Sequence, residues 1–219
     1  MNVLAIDTAS SCSAAVWRDG RIAAKRHLAI ARGHAEALMP MVKEVLDEAG
    51  LSFAALDLIA AAVGPGSFTG LRTGLAAARG LALALNKPTF GVTSLEAVAH
   101  AVAPKTTLLV ALETKREDIY IQVFSAAGEP LTEPLVCLPD RVPALLPQGP
   151  ISVAGDAAHR LREVLHANLL DTPAGDAALI ATIAASRFRP GAALSTPLIP
   201  LYLAPPQAKP QIDGGAVRP

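Results

Sequence analysis

The sequence has little charge and no excess of either sign. Its 219 residues include 19 Lys and Arg and 19 Asp and Glu, and charged residues make up 17% of the chain, against about 25% in an average soluble domain. A neutral chain has no strong positive field that would draw it onto nucleic acid unaided. Because 52% of the residues are hydrophobic, intrinsic disorder is excluded as well.

Long apolar runs and a cysteine framework are also missing. No stretch reaches the ~18 uncharged apolar residues that a membrane span needs, because Asp57 and Arg79 interrupt two apolar segments. The N-terminus has no basic region of the kind that begins a signal peptide. The two cysteines, Cys12 and Cys137, predict reduced thiols. We therefore expect a soluble, cytoplasmic protein with no membrane contact.

The motifs of common nucleotide-binding and hydrolytic enzymes are absent from the most distinctive segment, GPGSFTG at residues 64–70. A strand, a glycine-rich turn and a helix start can together present backbone N–H groups to an anion. However, no lysine follows Gly70 as a P-loop requires, Thr69 breaks the dinucleotide pattern, and Ser67 is misplaced for a serine-hydrolase elbow. The residues alone favour a tight turn that lets a helix pack closely.

Polar residues that could bind a metal or take part in catalysis are few and scattered. Asp7 and Thr8 follow an apolar strand and could hold a metal or a phosphate, or form an Asx-type turn, and the residues leave both interpretations open. His159 and His166 lie seven positions apart and form no zinc constellation with their neighbours. One carboxylate gives too few ligands for a dedicated metal site, so the sequence predicts no catalytic residue and no metal ligand.

The first half of the chain alternates strand and helix patterns. An apolar strand at residues 3–6 is followed by a hairpin around Asp19 and Gly20 and by a third strand. Apolar spacing then predicts a helix over 34–49, a strand over 58–63 and a helix over 70–85, ended by Asn86 and Pro88. A short strand over 90–92 and a helix over 94–102 complete this half.

The second half repeats this pattern without repeating the residues. A strand at 108–112 ends in Glu113 as the first strand ends in Asp7, and a strand at 151–154 runs into Gly155 and a predicted helix. A last helix is predicted over 177–188. We expect two similar domains, residues 1–104 and 105–219, the second ending in a loose Pro-rich tail from residue 204.

The predicted helix 70–85 is apolar on more than one face. It combines small residues with leucines, so another backbone could approach it closely, either the chain's own sheet or a partner helix. A helix of this kind needs cover on both sides. We expect it to lie beside the helix 34–49 and to leave an apolar ridge for a partner. The residues predicted for that interface are Leu38, Met41, Val42, Val45, Leu71, Leu75, Ala78 and Leu81.

Four segments together carry a family resemblance. LAIDTAS at 4–10, ARGHAEALMPMV at 31–42, GPGSFTGLRTGLAAARGLA at 64–82 and GVTSLEAVA at 91–99 resemble the bacterial TsaB family, also called YeaZ. The second half is similar to the family only loosely, and Ala204 stands where the family has an arginine.

The resemblance implies an α/β fold and a role. The fold is actin-like and sugar-kinase-like, with two RNase H-like domains of mixed sheets around a cleft. The role is a non-catalytic, dimerising one in the formation of N6-threonylcarbamoyladenosine in tRNA. In that family the paralogous subunit TsaD carries the chemistry, and the ATPase TsaE binds the assembled pair. We expect a TsaD-like and a TsaE-like partner, no activity of the chain alone, tRNA contact only through the complex, and a homodimer as an alternative when TsaD is absent.

An actin-like fold also implies where a nucleotide would lie. The candidate remnant of such a pocket consists of Asp7, Thr8, Ser10, Gly64, Gly66 and Ser67. The alternative function is therefore a free-standing actin-fold ATPase or phosphotransferase, although the second half offers poor counterparts of the further nucleotide-binding turns. We expect no cofactor, with weak ADP or ATP binding as the open alternative. A metallopeptidase would need a zinc motif that the sequence does not have.

Overall fold

The computed structural model describes residues 1–102, 104–170, 172, 175–189 and 198–203. Two five-stranded sheets form its framework. The strands of the first sheet are β1 (Asn2–Asp7), β2 (Cys12–Arg18), β3 (Arg21–Leu28), β4 (Leu58–Gly64) and β5 (Thr89–Thr93), in the order β3-β2-β1-β4-β5. The strands of the second sheet are β6 (Thr107–Glu113), β7 (Ile119–Phe124), β8 (Leu135–Cys137), β9 (Ile151–Ala154) and β10 (Asn168–Leu169), in the order β10-β9-β6-β7-β8.

The two sheets have one topology. In each sheet three consecutive strands pair antiparallel as a meander, and two later strands add in parallel on the other side of the first strand. Read from their meander edges, both sheets have the same strand order. The internal repeat predicted from the hydrophobic pattern is therefore confirmed, even though the residues differ.

Four helices cover the sheets. They are α1 (His34–Glu48), α2 (Phe68–Leu85), α3 (Ser94–Val102) and α4 (Ala177–Arg187), and three short 3-10 helices occupy Phe53–Ala55, Pro139–Leu145 and Ala158–Leu161. None of the helices in the described ranges is both long and apolar enough to cross a bilayer. Local signals end the first two helices as predicted, since Gly50 and Asn86 adopt the left-handed backbone that closes a helix.

Alternate residues of the first sheet face two apolar layers. Leu4 and Ile6 pack with α1 and α2 on one face, while Val3 and Ala5 pack with α4 on the other. A strand buried on both faces reads as a continuous apolar run rather than as an alternation, which is the pattern that β1 and β4 show. Much of the chain's high hydrophobic content is therefore used inside the first sheet's two layers.

Two helices cross between the halves of the chain. The buried side of α3 packs on the second sheet, with Leu95 and Val98 against Leu108 and Phe124. In exchange, α4 packs on β1, β2 and β4 of the first sheet. As a result, α3 of the predicted domain 1–104 and α4 of the predicted domain 105–219 each pack on the sheet of the other half. We call the first sheet with α1, α2 and α4 the first lobe, and the second sheet with α3 the second lobe.

Two further predictions concern the segment after Gly155 and the C-terminal tail. The helix predicted after Gly155 is only the 3-10 turn Ala158–Leu161, because the chain there is held against β6 by the Ala157 N–H donated to the Ala111 carbonyl (3.2 Å). The predicted loose tail from residue 204 lies outside the described residues.

The prediction that eight side chains of the two helices form an exposed apolar ridge for a partner is wrong. Seven of the eight side chains are buried. Six of these lie in the apolar layer between the first sheet and α1 and α2, Leu71 lies in the other apolar layer, and the eighth side chain, Leu81, packs against the first layer. The buried residues are Leu38, Met41, Val42, Val45, Leu71, Leu75 and Ala78. The physical reason is that both helices turn their most apolar stripe to their own sheet. The outward face of α2 carries Ala76, Gly80 and Leu83 instead.

Candidate functional site

A cavity of about 970 Å³ lies between the two lobes. Its first-lobe wall is the turn from β4 to α2, its floor includes the start of α3, and its second-lobe wall is the loop after β6. The segment 198–203 returns from the far end of the chain to close one side. Elements distant in the sequence therefore meet at a single concave surface, the usual form of a small-ligand site.

The glycine-rich turn is closed by the chain's own backbone. The Ser67 N–H donates to the Ala9 carbonyl (2.7 Å). A Cβ on Gly66 would lie 2.7 Å from that same oxygen, and one on Gly70 would lie 2.1 Å from the Thr8 carbonyl oxygen. These glycines are required because α2 approaches the turn after β1 closely. The interpretation favoured by the residues, a tight turn for helix packing, is confirmed.

The strand-end residues Asp7 and Thr8 are buried behind this turn. The Thr8 hydroxyl donates to the Gly70 carbonyl (2.7 Å), and one Asp7 carboxylate oxygen accepts the Ala9 N–H (2.8 Å), which is the Asx-type turn. The other oxygen, Oδ2, has no hydrogen-bond partner in the described part of the chain. Burial is the main cause that raises the Asp7 pKa to about 6, and the nearby Asp176 carboxylate adds to it.

The six residues of the predicted pocket fall into two groups. Ser10, Gly66 and Ser67 line the cavity. Asp7, Thr8 and Gly64 are buried and lie outside its lining. Three of the six predicted residues therefore lie together at one corner of this cavity, whereas the Asp7 carboxylate is buried in the first lobe.

The second-lobe wall is polar and its acids are engaged. The Glu113 carboxylate accepts a hydrogen bond from Arg160 (3.0 Å), and the Asp156 carboxylate accepts the Glu113 N–H (2.9 Å). Burial raises the pKa of Asp156, and the neighbouring Glu113 carboxylate raises it further. Arg116 pairs with Asp118 through two hydrogen bonds of 3.1 and 2.9 Å. This network stiffens the loop and neutralises most of its charge.

Sequence reasoning missed an aromatic cluster at the cavity mouth. The Arg72 guanidinium lies 3.8 Å from the Phe68 ring centroid and donates from Nε to the Tyr202 hydroxyl (3.0 Å). The two rings are 5.3 Å apart and tilted by 36°. The Leu201 N–H donates to the Val63 carbonyl (2.7 Å) and fixes this segment beside β4. The Phe–Arg spacing of four is visible in the sequence, but Tyr202 is 130 residues from Arg72.

Ser94, the first residue of α3, is a buried polar residue of the cavity wall. It is 6% exposed and lines the space, and its hydroxyl has no hydrogen-bond partner among the described residues. Over the same ranges, no group of three or more His, Cys, Asp or Glu is arranged to hold a metal ion.

The chain is similar to proteins of known family. The family model "TsaD: tRNA N6-adenosine threonylcarbamoyltransferase" matches residues 28–173. TsaB of Escherichia coli, a tRNA threonylcarbamoyladenosine biosynthesis protein, is 39% identical over 124 residues, which span 55% of this chain and 53% of that protein. The chain thus aligns with about half the length of this relative.

Two further comparisons extend over nearly the whole chain. An uncharacterised protein of Mycobacterium tuberculosis is 35% identical over 212 residues, or 95% of this chain and 94% of that protein. The structure of YeaZ from Pseudomonas aeruginosa superposes with a TM-score of 0.78 at 27% identity, over 92% of this chain and 99% of the other. The two-lobed, actin-like α/β fold expected from the resemblance is confirmed, and the chain belongs to the TsaB (YeaZ) branch of the protein family that the TsaD model describes.

Proposed function

We propose that this chain is a non-catalytic subunit of the assembly that forms N6-threonylcarbamoyladenosine in tRNA, and that it pairs with a TsaD-like paralogue. The observation that carries the proposal is the outward face of α2. Leu83 is 85% exposed, and a Cβ added to Gly80 would meet nothing within 4 Å. Ala76 lies on the same face. A stripe of small residues next to an exposed leucine lets a partner helix approach the backbone closely.

The helix α1, which packs against α2, also carries exposed apolar and charged side chains. Met39 of α1 is 40% exposed. Lys43 and Asp47 of α1 form an ion pair, and Glu44 and Glu48 pair with Arg26 of β3. An apolar centre with a polar border is the usual composition of a protein interface.

The kind of partner follows from the kinship of the two proteins. A paralogue with the same fold would present its own equivalents of α1 and α2, so the two subunits could pair about a pseudo-twofold axis. The same face would serve a homodimer when the paralogue is absent. In this proposal the TsaE-like ATPase binds the assembled pair, and tRNA is bound by the complex.

The non-catalytic part of the proposal rests on the β4–α2 turn. A loop that cradles phosphate needs free backbone N–H groups directed at the ligand. Here the Ser67 N–H is used by the Ala9 carbonyl, and Asp7 is buried behind the turn. These contacts favour a packing role over the alternative of an independent ATPase or phosphotransferase.

The test is the modification level of tRNA in cells. A strain lacking the native gene would be complemented with the wild type, with Ala76→Arg on the outward face of α2, or with Ala126→Arg on an exposed turn of the second lobe. Nucleosides from total tRNA would be quantified by mass spectrometry. We expect Ala126→Arg to restore N6-threonylcarbamoyladenosine and Ala76→Arg to fail at equal protein level. Full modification without the wild-type chain would contradict the proposed function.

A further inference from the structure

Two arginines of α2 hold the segment 198–203, which we call the strap. The Arg79 guanidinium donates a hydrogen bond to the Leu198 carbonyl. Arg72 donates from Nε to the Tyr202 hydroxyl (3.0 Å). The bonded residues ascend along the strap as they descend along the helix. The strap therefore runs antiparallel to α2 and lies against it over two turns.

The strap is also fixed to the first lobe's core. Leu198 is 3% exposed and belongs to the apolar layer between the first sheet and its helices. The Leu201 N–H donates to the Val63 carbonyl (2.7 Å), and a Cβ on Gly64 would lie 3.2 Å from the Leu201 carbonyl oxygen. The strap is therefore seated directly on the end of β4. A segment that is already ordered loses little conformational entropy when a partner binds to it.

The two arginines place the strap at the border of the outward face of α2. Residues four positions apart are neighbours on the surface of a helix. Ala76 follows Arg72 by four positions, and Leu83 follows Arg79 by four positions. The strap therefore borders the same stripe of small residues and exposed leucine that carries the proposed function.

The side of the strap that faces away from the core is apolar and exposed. Ile199 is 64% exposed, next to the buried Leu198, and Tyr202 is 45% exposed. Single exposed apolar side chains are ordinary, but a concentration of them marks an interaction surface. Of the ten exposed large apolar side chains in the described ranges, four lie on α2 and the strap, namely Phe68, Leu83, Ile199 and Tyr202.

The width of a helix extends a contact on α2 to the strap. An α-helix with its side chains is about 10–12 Å across, and two packed helices have axes about 8–10 Å apart. The stripe that holds Ala76 and Leu83 is only about one side chain wide. A partner helix centred on this stripe would overhang its border, and the strap is the element that lies there.

We propose that the strap belongs to the surface that binds the TsaD-like paralogue, with Ile199 and Tyr202 in contact with a helix of that subunit. The inference rests on the proposed function and deepens it, because it adds a second element of this chain to the interface. A subunit of the same fold brings a long helix with an outward face of its own, which is the shape that this surface fits. An exposed tyrosine on an ordered segment is a frequent anchor in such interfaces.

Calorimetric titration of matched variants against the purified paralogue tests the contact. Ile199→Glu places a charge on the strap, and Leu131→Glu places the same charge on a side chain of the second lobe that is 55% exposed. We expect Ile199→Glu to weaken binding at least about tenfold, because charged residues are disfavoured at the centre of an interface. Leu131→Glu should stay within about twofold of the wild type. Ala76→Arg, measured beside them, reports on the outward face of α2 itself.

Hydrogen exchange of the wild-type chain, free and bound to the paralogue, tests the location without any substitution. The backbone amides of the strap should exchange at least about tenfold more slowly in the complex, whereas those of residues 129–133 should not change. Unchanged exchange in the strap, or wild-type affinity of Ile199→Glu while Ala76→Arg loses binding, would overturn the inference and leave the proposed function standing. A wild type that does not bind the paralogue would overturn the proposed function, and this inference with it.

Discussion

The two lobes share a sheet topology but use the turn after their first strand in opposite ways. In the first lobe, Asp7 is fully buried, and the turn that follows it is locked against α2 by the Thr8 hydroxyl. In the second lobe, Glu113 is partly exposed and pairs with Arg160 at the cavity wall. The topology decides where the turn lies, and the contacts of its side chains decide whether it is a packing element or part of a site.

The two sheets also differ in the helices that cover them. The first sheet is covered by α1 and α2 on one face and by α4 on the other, whereas the second sheet has α3 and short 3-10 helices. Long helices leave a continuous outward face that a partner could bind. The first lobe therefore offers the candidate interface, and the second lobe offers polar loops to the cleft.

The largest expected effect separates the buried and outward faces of α2. Ala78 is fully buried, so Ala78→Arg would force a charged side chain into the first lobe's core and destabilise the fold by about 4 kcal/mol. Ala76→Arg on the exposed face should change the free energy of unfolding by less than about 0.5 kcal/mol. Urea unfolding of both variants measures the difference. Equal stabilities would show that α2 is oriented differently.

The free energy of unfolding should depend on pH through the buried Asp7 carboxyl of the first lobe. The Asp7 pKa of about 6 lies above its ordinary value of 3.8, so the folded chain retains a proton that the unfolded chain releases. Stability from this group is present below pH 3.8 and is lost as the pH rises to about 6, a loss of about 3 kcal/mol. The asparagine of the Asp7→Asn variant stays neutral at every pH, so this variant should not lose stability over that range. Unfolding free energies of wild type and variant should diverge by about that amount between pH 4 and pH 7, and parallel curves would refute the assignment.

Two glycines of one helix should respond with opposite signs. A Cβ on Gly74 would lie 2.2 Å from the Thr8 hydroxyl oxygen, so Gly74→Ala should displace that hydroxyl from the Gly70 carbonyl and destabilise the fold by about 2 kcal/mol. Gly80 has open space around it, and Gly80→Ala should stabilise the fold by about 0.5–1 kcal/mol through helix propensity. Thermal melting provides the measurement. A stabilising Gly74→Ala would mean that the close approach is absent.

The smallest expected effect concerns the second-lobe carboxylate. The Glu113 and Arg160 side chains are 27% and 21% exposed, so their ion pair is partly screened by water. Glu113→Gln should cost about 1 kcal/mol or less. A double-mutant cycle with Arg160→Gln isolates the pair from the bonds that Arg160 also donates to the carbonyls of Asp118 and Glu117. A coupling energy of about 3 kcal/mol would mean that the turn after β6 contributes as much to stability as the turn after β1. The contrast drawn between the two lobes would then not hold.

Local signals predicted most of the framework. The turn at Asp19 and Gly20 has the positive φ values that its residues suggest, and the strand at 151–154 has the predicted bounds. Such features depend on residues that are close in the sequence. The short strands β8 and β10 have few residues and no clear alternation, which is why the sequence did not indicate them.

Orientation and long-range contacts could not be predicted. Because α2 has apolar residues on several faces, periodicity does not determine which side meets the sheet, and Ala78 was placed on the outside. The packing of α4 on the first sheet and the contact of Tyr202 with Arg72 join residues far apart in the chain. Only the assembled fold brings these residues together.

Direct binding to the TsaD-like paralogue is the measurement closest to the central claim. The wild type, Ala76→Arg and Ala126→Arg would each be titrated against the purified partner, after equal melting temperatures show that all three are folded. We predict that Ala126→Arg binds like the wild type and that Ala76→Arg weakens binding at least about a hundredfold, the loss expected when a charge is placed in a close helix contact. Wild-type affinity of folded Ala76→Arg would contradict the account and locate the interface elsewhere.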